Sequence, residues 1–427
     1  MKLDKLAVSN IIQMGLVQGL NYILPIIMIP YLLRVIGIEN YGRVATALAI
    51  VQFLLIISDY GFNFTATQKI AVKEKVDNTL VSTIYTYKLI LSGIILLITA
   101  AAFFFITMTQ KDLWFVVGFY LFFLGQSFLP VWLFRGLNKM VYVSFITFFS
   151  KCITIVLLFL YVKQKEDFYL MGFVYGIPAV IGLIISAFLM KKYGIKFVKI
   201  RWSDLREELD SGKDMFFSNV IGTLYTTLNP IILTQFAGLY ATGLYSTCEK
   251  IISVANSMTN AVSQAVYPIV CKKMSASPYV FLKKVKMPVS FLYFGWWPPI
   301  LLIVSILVAF QSEWILQIVN GSNIANEQIT LLQVMLFIPF AISLGHLFGI
   351  QTLLAVNEKK SVRNSIFRGA ILNLILGTTG SLLFGALGMG ISVLICEFVV
   401  GASMFQFLRK YMRSNKKDIA EQLSYGK

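Results

Sequence analysis

Apolar residues fall into about a dozen blocks of spanning length, running from Ile11 to Leu408 with short polar connections between them. A helix needs about 20 such residues to cross about 30 Å of hydrocarbon. The blocks predict spans near residues 11–33, 44–66, 80–105, 113–134, 141–162 and 169–190. A second set is predicted near 215–236, 242–270, 289–310, 329–354, 365–387 and 389–408. The outer connections are short apart from Gln311 to Gln328. The longest inner connection, Lys191 to Asp214, divides the spans into two sets of six. Within it, Asp204 followed by Glu207 fits a capping box and Gly212 can close a helix, which predicts a short interfacial helix.

The predicted organisation is therefore all-α: a six-helix lobe over 1–190, a cytoplasmic linker over 191–214, a second six-helix lobe over 215–408 and a basic tail over 409–427. An internal echo supports the division. Ser9-Asn10-Ile11-Ile12 returns as Ser218-Asn219-Val220-Ile221, Leu20-Asn21 as Leu228-Asn229, and Gly37 with Gly42 as Gly238 with Gly243. Six spans separate the copies, so the repeat is parallel, about an axis along the membrane normal.

Charge fixes the orientation. Of the 37 Lys and Arg residues, 29 lie at the N-terminus, in alternate connections and in the tail, and 5 lie in the other connections. Short basic loops stay in the cytoplasm, which puts both termini there. Charged residues are 13% of the chain and hydrophobic ones 57%, against roughly 25% charge in a soluble domain. The net charge of +17 therefore reflects orientation and anionic lipid rather than nucleic acid. Cys152, Cys248, Cys271 and Cys396 are isolated, with no CxxC, and His346 is the lone histidine, so neither a metal site nor a cofactor is indicated. MKLDKLAVSN runs straight into a full span, unlike a cleaved signal peptide.

Candidate chemistry sits inside the spans. Asn10, Gln13, Gln18 and Asn21 share an arc of about 140° on the first span, echoed by Asn219, Thr223, Thr226 and Asn229 on the seventh. Such stripes either hydrogen-bond helices together or line a wet cavity. Pro25, Pro30 and Pro230 interrupt the same two spans. Lys88, Lys151 and Lys250 are the three basic residues that orientation does not explain. Arg34 and Arg135 mark span ends, and Asp59 and Glu397 are acidic residues within spans. Each in-span charge costs about 2.5–3.5 kcal/mol on insertion scales. The alternatives are snorkelling, ion pairing between spans, or a cationic cavity for an anion. His346 is either a packing residue or a proton relay. No Walker A, Rossmann, G-x-S-x-G or paired acidic motif occurs, so the chain is not expected to be an enzyme.

Three local patterns carry a family resemblance. Pro130-Val131-Trp132-Leu133-Phe134-Arg135-Gly136-Leu137-Asn138-Lys139-Met140 resembles the P-x-W-x-F-Q-G-x-x-x-M signature of O-antigen and polysaccharide (Wzx-type) flippases. Asp59-Tyr60-Gly61-Phe62 is close to that family's D-x-G-F, and the Gly37 to Gly42 element with its echo, Gly238 to Tyr245, completes the set. Arg135 departs from the usual Gln. The resemblance implies a multidrug/oligosaccharidyl-lipid/polysaccharide exporter with two lobes that rock. It also implies a lateral portal near the first and eighth spans. The implied cargo is an oligosaccharide on undecaprenyl diphosphate, moved outward across a bacterial inner membrane. On this reading Arg34, Lys88, Arg135, Lys151 and Lys250 bind the anionic headgroup, and Asn21, Tyr225 and Asn229 contact sugar hydroxyls. Asp59, Glu397 and His346 are then proton candidates. Implied partners are membrane lipid, a polysaccharide polymerase and a chain-length regulator. A cation-coupled antiporter of the same superfamily is the alternative reading. A membrane polymerase or transferase is the third.

Overall fold

The computed structural model describes residues 27–73, 76–105, 109–276, 279–282, 285–321 and 324–414. The chain is a helical polytopic membrane protein that divides into two compact units, Met1–Ile231 and Ile232–Lys427. Among the described residues eight helices are long and apolar enough to cross a membrane. The first copy of the repeat at Ser9–Ile12 and the polar stripe from Asn10 to Asn21 lie outside the described residues.

In the first unit, helical residues 27–35 precede α1 (Gly37–Asp59), α2 (Phe62–Lys73), α3 (Asn78–Phe105), α4 (Gln110–Phe128), the short α5 (Val131–Gly136), α6 (Met140–Tyr161), α7 (Met171–Lys192) and α8 (Trp202–Thr227). Thr109 caps α4 by a reciprocal capping box with Asp112. The tightest packing joins α4 to α7. A Cβ on Gly118 would lie 2.4 Å from the Gly172 carbonyl carbon, and one on Gly125 would lie 2.5 Å from that of Ala179. These helices touch backbone to backbone, the small-residue packing that replaces the hydrophobic effect where the solvent is lipid.

Both motifs that carry the resemblance fold into one core at the linker end of this unit. Asp59-Tyr60-Gly61-Phe62 makes the α1–α2 turn, with Tyr60 at φ 45° and Gly61 at φ 86°. Pro130 to Gly136 forms the single turn of α5, whose Trp132, Leu133 and Phe134 are fully buried. Trp132 and Leu133 pack with Phe62, Ala66, Ile70, Leu80 and Ile84. Thr67 Oγ1 donates to the Trp132 carbonyl at 3.1 Å.

The linker differs from its sequence reading. Gly212 does not close a helix. It lies inside α8, which runs without a break from the linker towards the seventh span. Its Cα faces Tyr60, whose carbonyl oxygen would be 3.0 Å from an added Cβ. Asp204 is not the N-cap but the third helical residue, reaching back to the Arg201 amide at 3.0 Å. That amide and the Arg201 guanidinium hold its carboxyl below the ordinary range. Lys69 Nζ grips both Glu208 carboxylate oxygens at 2.7 and 2.8 Å, and Tyr60 stacks on Phe216 at 4.6 Å. Helix α8 is thereby fastened to α2 and to the α1–α2 turn.

In the second unit, α9 (Asn229–Ala276) opens beyond a break at Leu228, with Pro230 in its first turn where no amide is needed. The predicted seventh span is thus interrupted within its length. Gly238 interrupts α9 at φ 86°, and its repeat counterpart Gly37 sits at φ 80° in the first unit. Both positions require a left-handed backbone, which glycine adopts without penalty. A hairpin, β1 (Tyr279–Leu282) with β2 (Val285–Pro288), fills the next basic connection. Then follow α10 (Val289–Phe294), α11 (Trp297–Ala309), α12 (Ser312–Asn320), α13 (Asn326–Met335), α14 (Ile338–Gly345), a π-helical segment His346–Leu354 and α15 (Lys359–Ser414), which is kinked at Gly385 into the last two spans. The connection from Gln311 is not a plain loop. It holds α12, which buries Ser312, Leu316 and Asn320.

Gly118→Val should lower stability by about 3 kcal/mol, because overpacking here meets backbone that cannot repack. Gly93→Ala, on an exposed helix face with nothing within 4 Å, should be neutral or stabilising. Thermal unfolding of the purified protein in detergent compares the two.

Candidate functional site

The linker end of the first unit brings Lys88, Asp59 and Arg135 into one electrostatic group, with Asp59 acting on Lys88 and attracted by both cations. Lys88 is only 5% exposed. Its ammonium donates to the Ser127 carbonyl at the end of α4. The Ser127 hydroxyl in turn meets that of Ser58 at 2.5 Å, next to Asp59. Asp59 Oδ1 also accepts from the Asn63 amide at 3.3 Å, capping α2. Arg135 sits exposed at the rim, on the last turn of α5. Lys88 therefore ties α3 to α4 in this arrangement, and Arg135 is the group member that meets solvent.

Lys151 stands elsewhere. It is half-buried on α6 and lines a cavity of about 250 Å³ inside the first unit. Gln52 of α1, Gln126 of α4, Thr147 and Ser150 of α6 and Tyr175 of α7 share the wall. Ser150 Oγ donates to the Pro178 carbonyl at 3.0 Å, a carbonyl within α7. The cavity thus combines a cation with hydroxyls and amides, which can both donate and accept. Sequence reasoning selected Lys151 but missed Gln52, Gln126 and Tyr175. Gln52 and Gln126 were legible as polar residues inside apolar spans, the same signal that marked the lysines.

Arg34 is exposed on the helical turn that precedes α1. Asn21 lies outside the described residues, as does the Tyr225 side chain. Asn229 is buried at the first residue of α9. Lys250 is exposed on α9 beside the half-buried Glu249. Glu397 is buried on α15. His346 is half-buried at the start of the π-helical segment, and its Nδ1 is buried with no hydrogen-bond partner among the described residues. π-helical turns inside α-helices recur at functional sites. Among the described residues no three His, Cys, Asp or Glu side chains gather as metal ligands.

Comparison with known proteins accords with this architecture. Residues 7–274 match the family described as "Polysaccharide biosynthesis protein". The chain belongs to this polysaccharide biosynthesis family. It is 30% identical over 418 residues to a protein of Escherichia coli (strain K12) named "Putative O-antigen transporter", covering 96% of this chain and 98% of the relative. A protein of the same name from Shigella dysenteriae is 28% identical over 410 residues, covering 94% and 100%. Among solved structures, the chain is similar in fold to the lipid II flippase MurJ in an inward closed conformation, with TM-score 0.66, 13% identity and coverage of 95% and 87%. It is also similar to an inward-facing multidrug resistance MATE family transporter, with TM-score 0.69, 14% identity and coverage of 95% and 99%.

Replacing Lys88 by Met should cost about 1.5–3 kcal/mol, the range for a charged hydrogen bond lost from a buried acceptor. The double variant Lys88→Met, Asp59→Asn should cost less than the sum of the single changes, because the carboxylate stranded by the first change is neutralised by the second. Denaturation midpoints of the four proteins in detergent close this cycle.

Proposed function

We propose that this protein is a flippase that moves an undecaprenyl-diphosphate-linked oligosaccharide repeat unit across the bacterial inner membrane. The cargo of an O-antigen or related surface polysaccharide passes from the cytoplasmic to the outer leaflet by alternating access. The observation that carries the reading is Lys151 on the wall of a cavity that also holds amides and hydroxyls inside a membrane bundle, in a chain of a polysaccharide biosynthesis family. A lipid-linked sugar diphosphate is anionic and hydrated at its head, and apolar only in its tail. A cavity that supplies a cation, amides and hydroxyls fits the head, while lipid keeps the tail. No bond in the cargo needs to be made or broken, so the role is transport rather than catalysis.

Arg135 at the cytoplasmic rim and Lys151 deeper in the unit form successive cations for that headgroup, and Arg34 and Lys250 are further candidates. Moving two negative charges outward across an inside-negative potential releases about 4–5 kcal/mol per 100 mV. Proton entry through Asp59, Glu397 or His346 is a second source of drive. A polysaccharide polymerase and a chain-length regulator would take over the delivered repeat unit. The likeness to a multidrug transporter fold favours a second reading, a cation-coupled antiporter of the same superfamily. Such a protein should centre its cavity on acidic residues, whereas Lys151 is the charged residue on this cavity wall.

A strain lacking the gene should lose surface polysaccharide and accumulate the lipid-linked repeat unit in the inner leaflet. Normal surface polysaccharide in that strain would sink the flippase reading. Lys151→Ala should cut export at least tenfold at unchanged protein level, with partial recovery in Lys151→Arg. Silver-stained polysaccharide ladders and immunoblots of the membrane fraction measure the two quantities.

A further inference from the structure

Helix α9 carries a polar face that its place in a membrane protein does not explain. Lys250, Ser253, Ser257, Asn260 and Gln264 recur at intervals of three and four residues, within about an 80° arc at 100° per residue. From Lys250 to Gln264 the row is about 21 Å long at 1.5 Å per residue. Lys250, Asn260 and Gln264 are exposed. No leucine, isoleucine, valine or phenylalanine interrupts the sector.

The helix packs into its unit by a different side. Cys248, Ile252, Thr259, Ser263 and Val270 are buried there. The polar residues of that side are satisfied within the unit. Trp297 Nε1 donates to Thr259 Oγ1 at 3.1 Å, and Gln351 Nε2 donates to the Ser263 carbonyl and hydroxyl at 2.8 and 2.9 Å. On the polar face, Ser253 and Ser257 donate back to carbonyls of their own helix at 2.7 and 2.6 Å, which leaves their oxygens free to accept. Exposed Met258 and Ile269 lie on a third side.

Lipid is the wrong environment for this face. A lysine alone costs about 2.5–3.5 kcal/mol in hydrocarbon, and unpaired amides add to it. The face therefore meets water or a hydrated ligand. A drug site would present mostly apolar walls, and a cation path would present rings of acidic residues or carbonyls. A row of hydroxyls and primary amides offers alternating donors and acceptors, the complement of a chain of sugar rings.

We propose that this face of α9 is a saccharide-binding rail, with Ser253, Ser257, Asn260 and Gln264 hydrogen-bonding the sugar hydroxyls of the cargo and Lys250 supplying a cation at one end. The assignment rests on the flippase reading and adds its sugar-contacting surface.

Two measurements test it. The first reconstitutes wild type and the Asn260→Leu, Gln264→Met double variant in vesicles. Outward movement is followed for undecaprenyl diphosphate carrying one sugar and for the same lipid carrying a full repeat unit. The double variant should move the repeat unit at least tenfold more slowly and the single-sugar lipid less than twofold more slowly. Equal loss for both lipids, or no loss, overturns the rail. The second labels Asn260→Cys, Gln264→Cys and Met258→Cys, each in a background with the four native cysteines replaced by serine, using a charged maleimide that does not cross membranes. Residues 260 and 264 should react and 258 should not. An unreactive 260 and 264 overturns the rail without reference to any cargo. Wild-type protein that moves neither lipid overturns the flippase reading and the cargo assignment with it, whatever the labelling shows.

Discussion

Each polar group carried into hydrocarbon must find its partner inside the protein, because no water is there to supply one. Most of the structure follows from this. It makes the chain helical and sends serine and threonine hydroxyls back onto carbonyls of their own helices, as at Thr46, Ser82, Thr83, Thr86 and Ser92. Tyrosines are used as struts between helices. Tyr85, Tyr87 and Tyr120 donate to the carbonyls of Phe128, Ile57 and Ser92 at 2.9, 2.9 and 3.0 Å. Lys88 obeys the same rule with a charge, taking the Ser127 carbonyl and the field of Asp59. Against this background the Lys151 cavity and the open face of α9 stand out, since both concentrate polar side chains where packing does not require them.

The most recognisable stretch of the sequence proves to be architectural. Trp132 and Leu133 are buried in the α2–α5 core, Phe134 is buried against Tyr142, and Asp59 and Gly61 shape the turn that leads into that core. Beside this core, Lys69–Glu208 and Tyr60–Phe216 hold the loops of the unit against α8. Arg135, the one departure from the family pattern, occupies the exposed position of the motif, where a change of residue disturbs no packing. The signature therefore identifies the fold more directly than it identifies the cargo.

Much of this was legible in the residues. The apolar blocks located most of the long apolar helices, because their placement depends only on the cost of moving side chains between water and lipid. The repeat glycines were also legible, since Gly37 and Gly238 share a backbone geometry that other residues adopt at a cost. What escaped was decided by tertiary context. Gly212 reads as a helix end, yet it continues α8 because packing against Tyr60 favours a residue without a side chain. Asp204 reads as a cap and acts one turn later, from the third helical position. Lys88 and Lys151 look alike in sequence, one polar residue in an apolar span each. Only the fold puts the first against a carbonyl and the second on a cavity wall. The polar sector of α9 was readable as a spacing of three and four, but it was concealed in a block read only for its length.

The backbone-to-backbone crossing of α4 and α7 has a mechanical meaning. Where side chains interdigitate, helices can slide by changing rotamers. Where Gly118 and Gly125 meet Gly172 and Ala179, there is nothing to re-arrange, and the two helices act as one stiff plank. The Lys151 cavity has this plank for one side and α6 and α1 for the others. Gln126 and Tyr175 stand on this plank, and the Ser150–Pro178 hydrogen bond ties the wall that carries Lys151 to it.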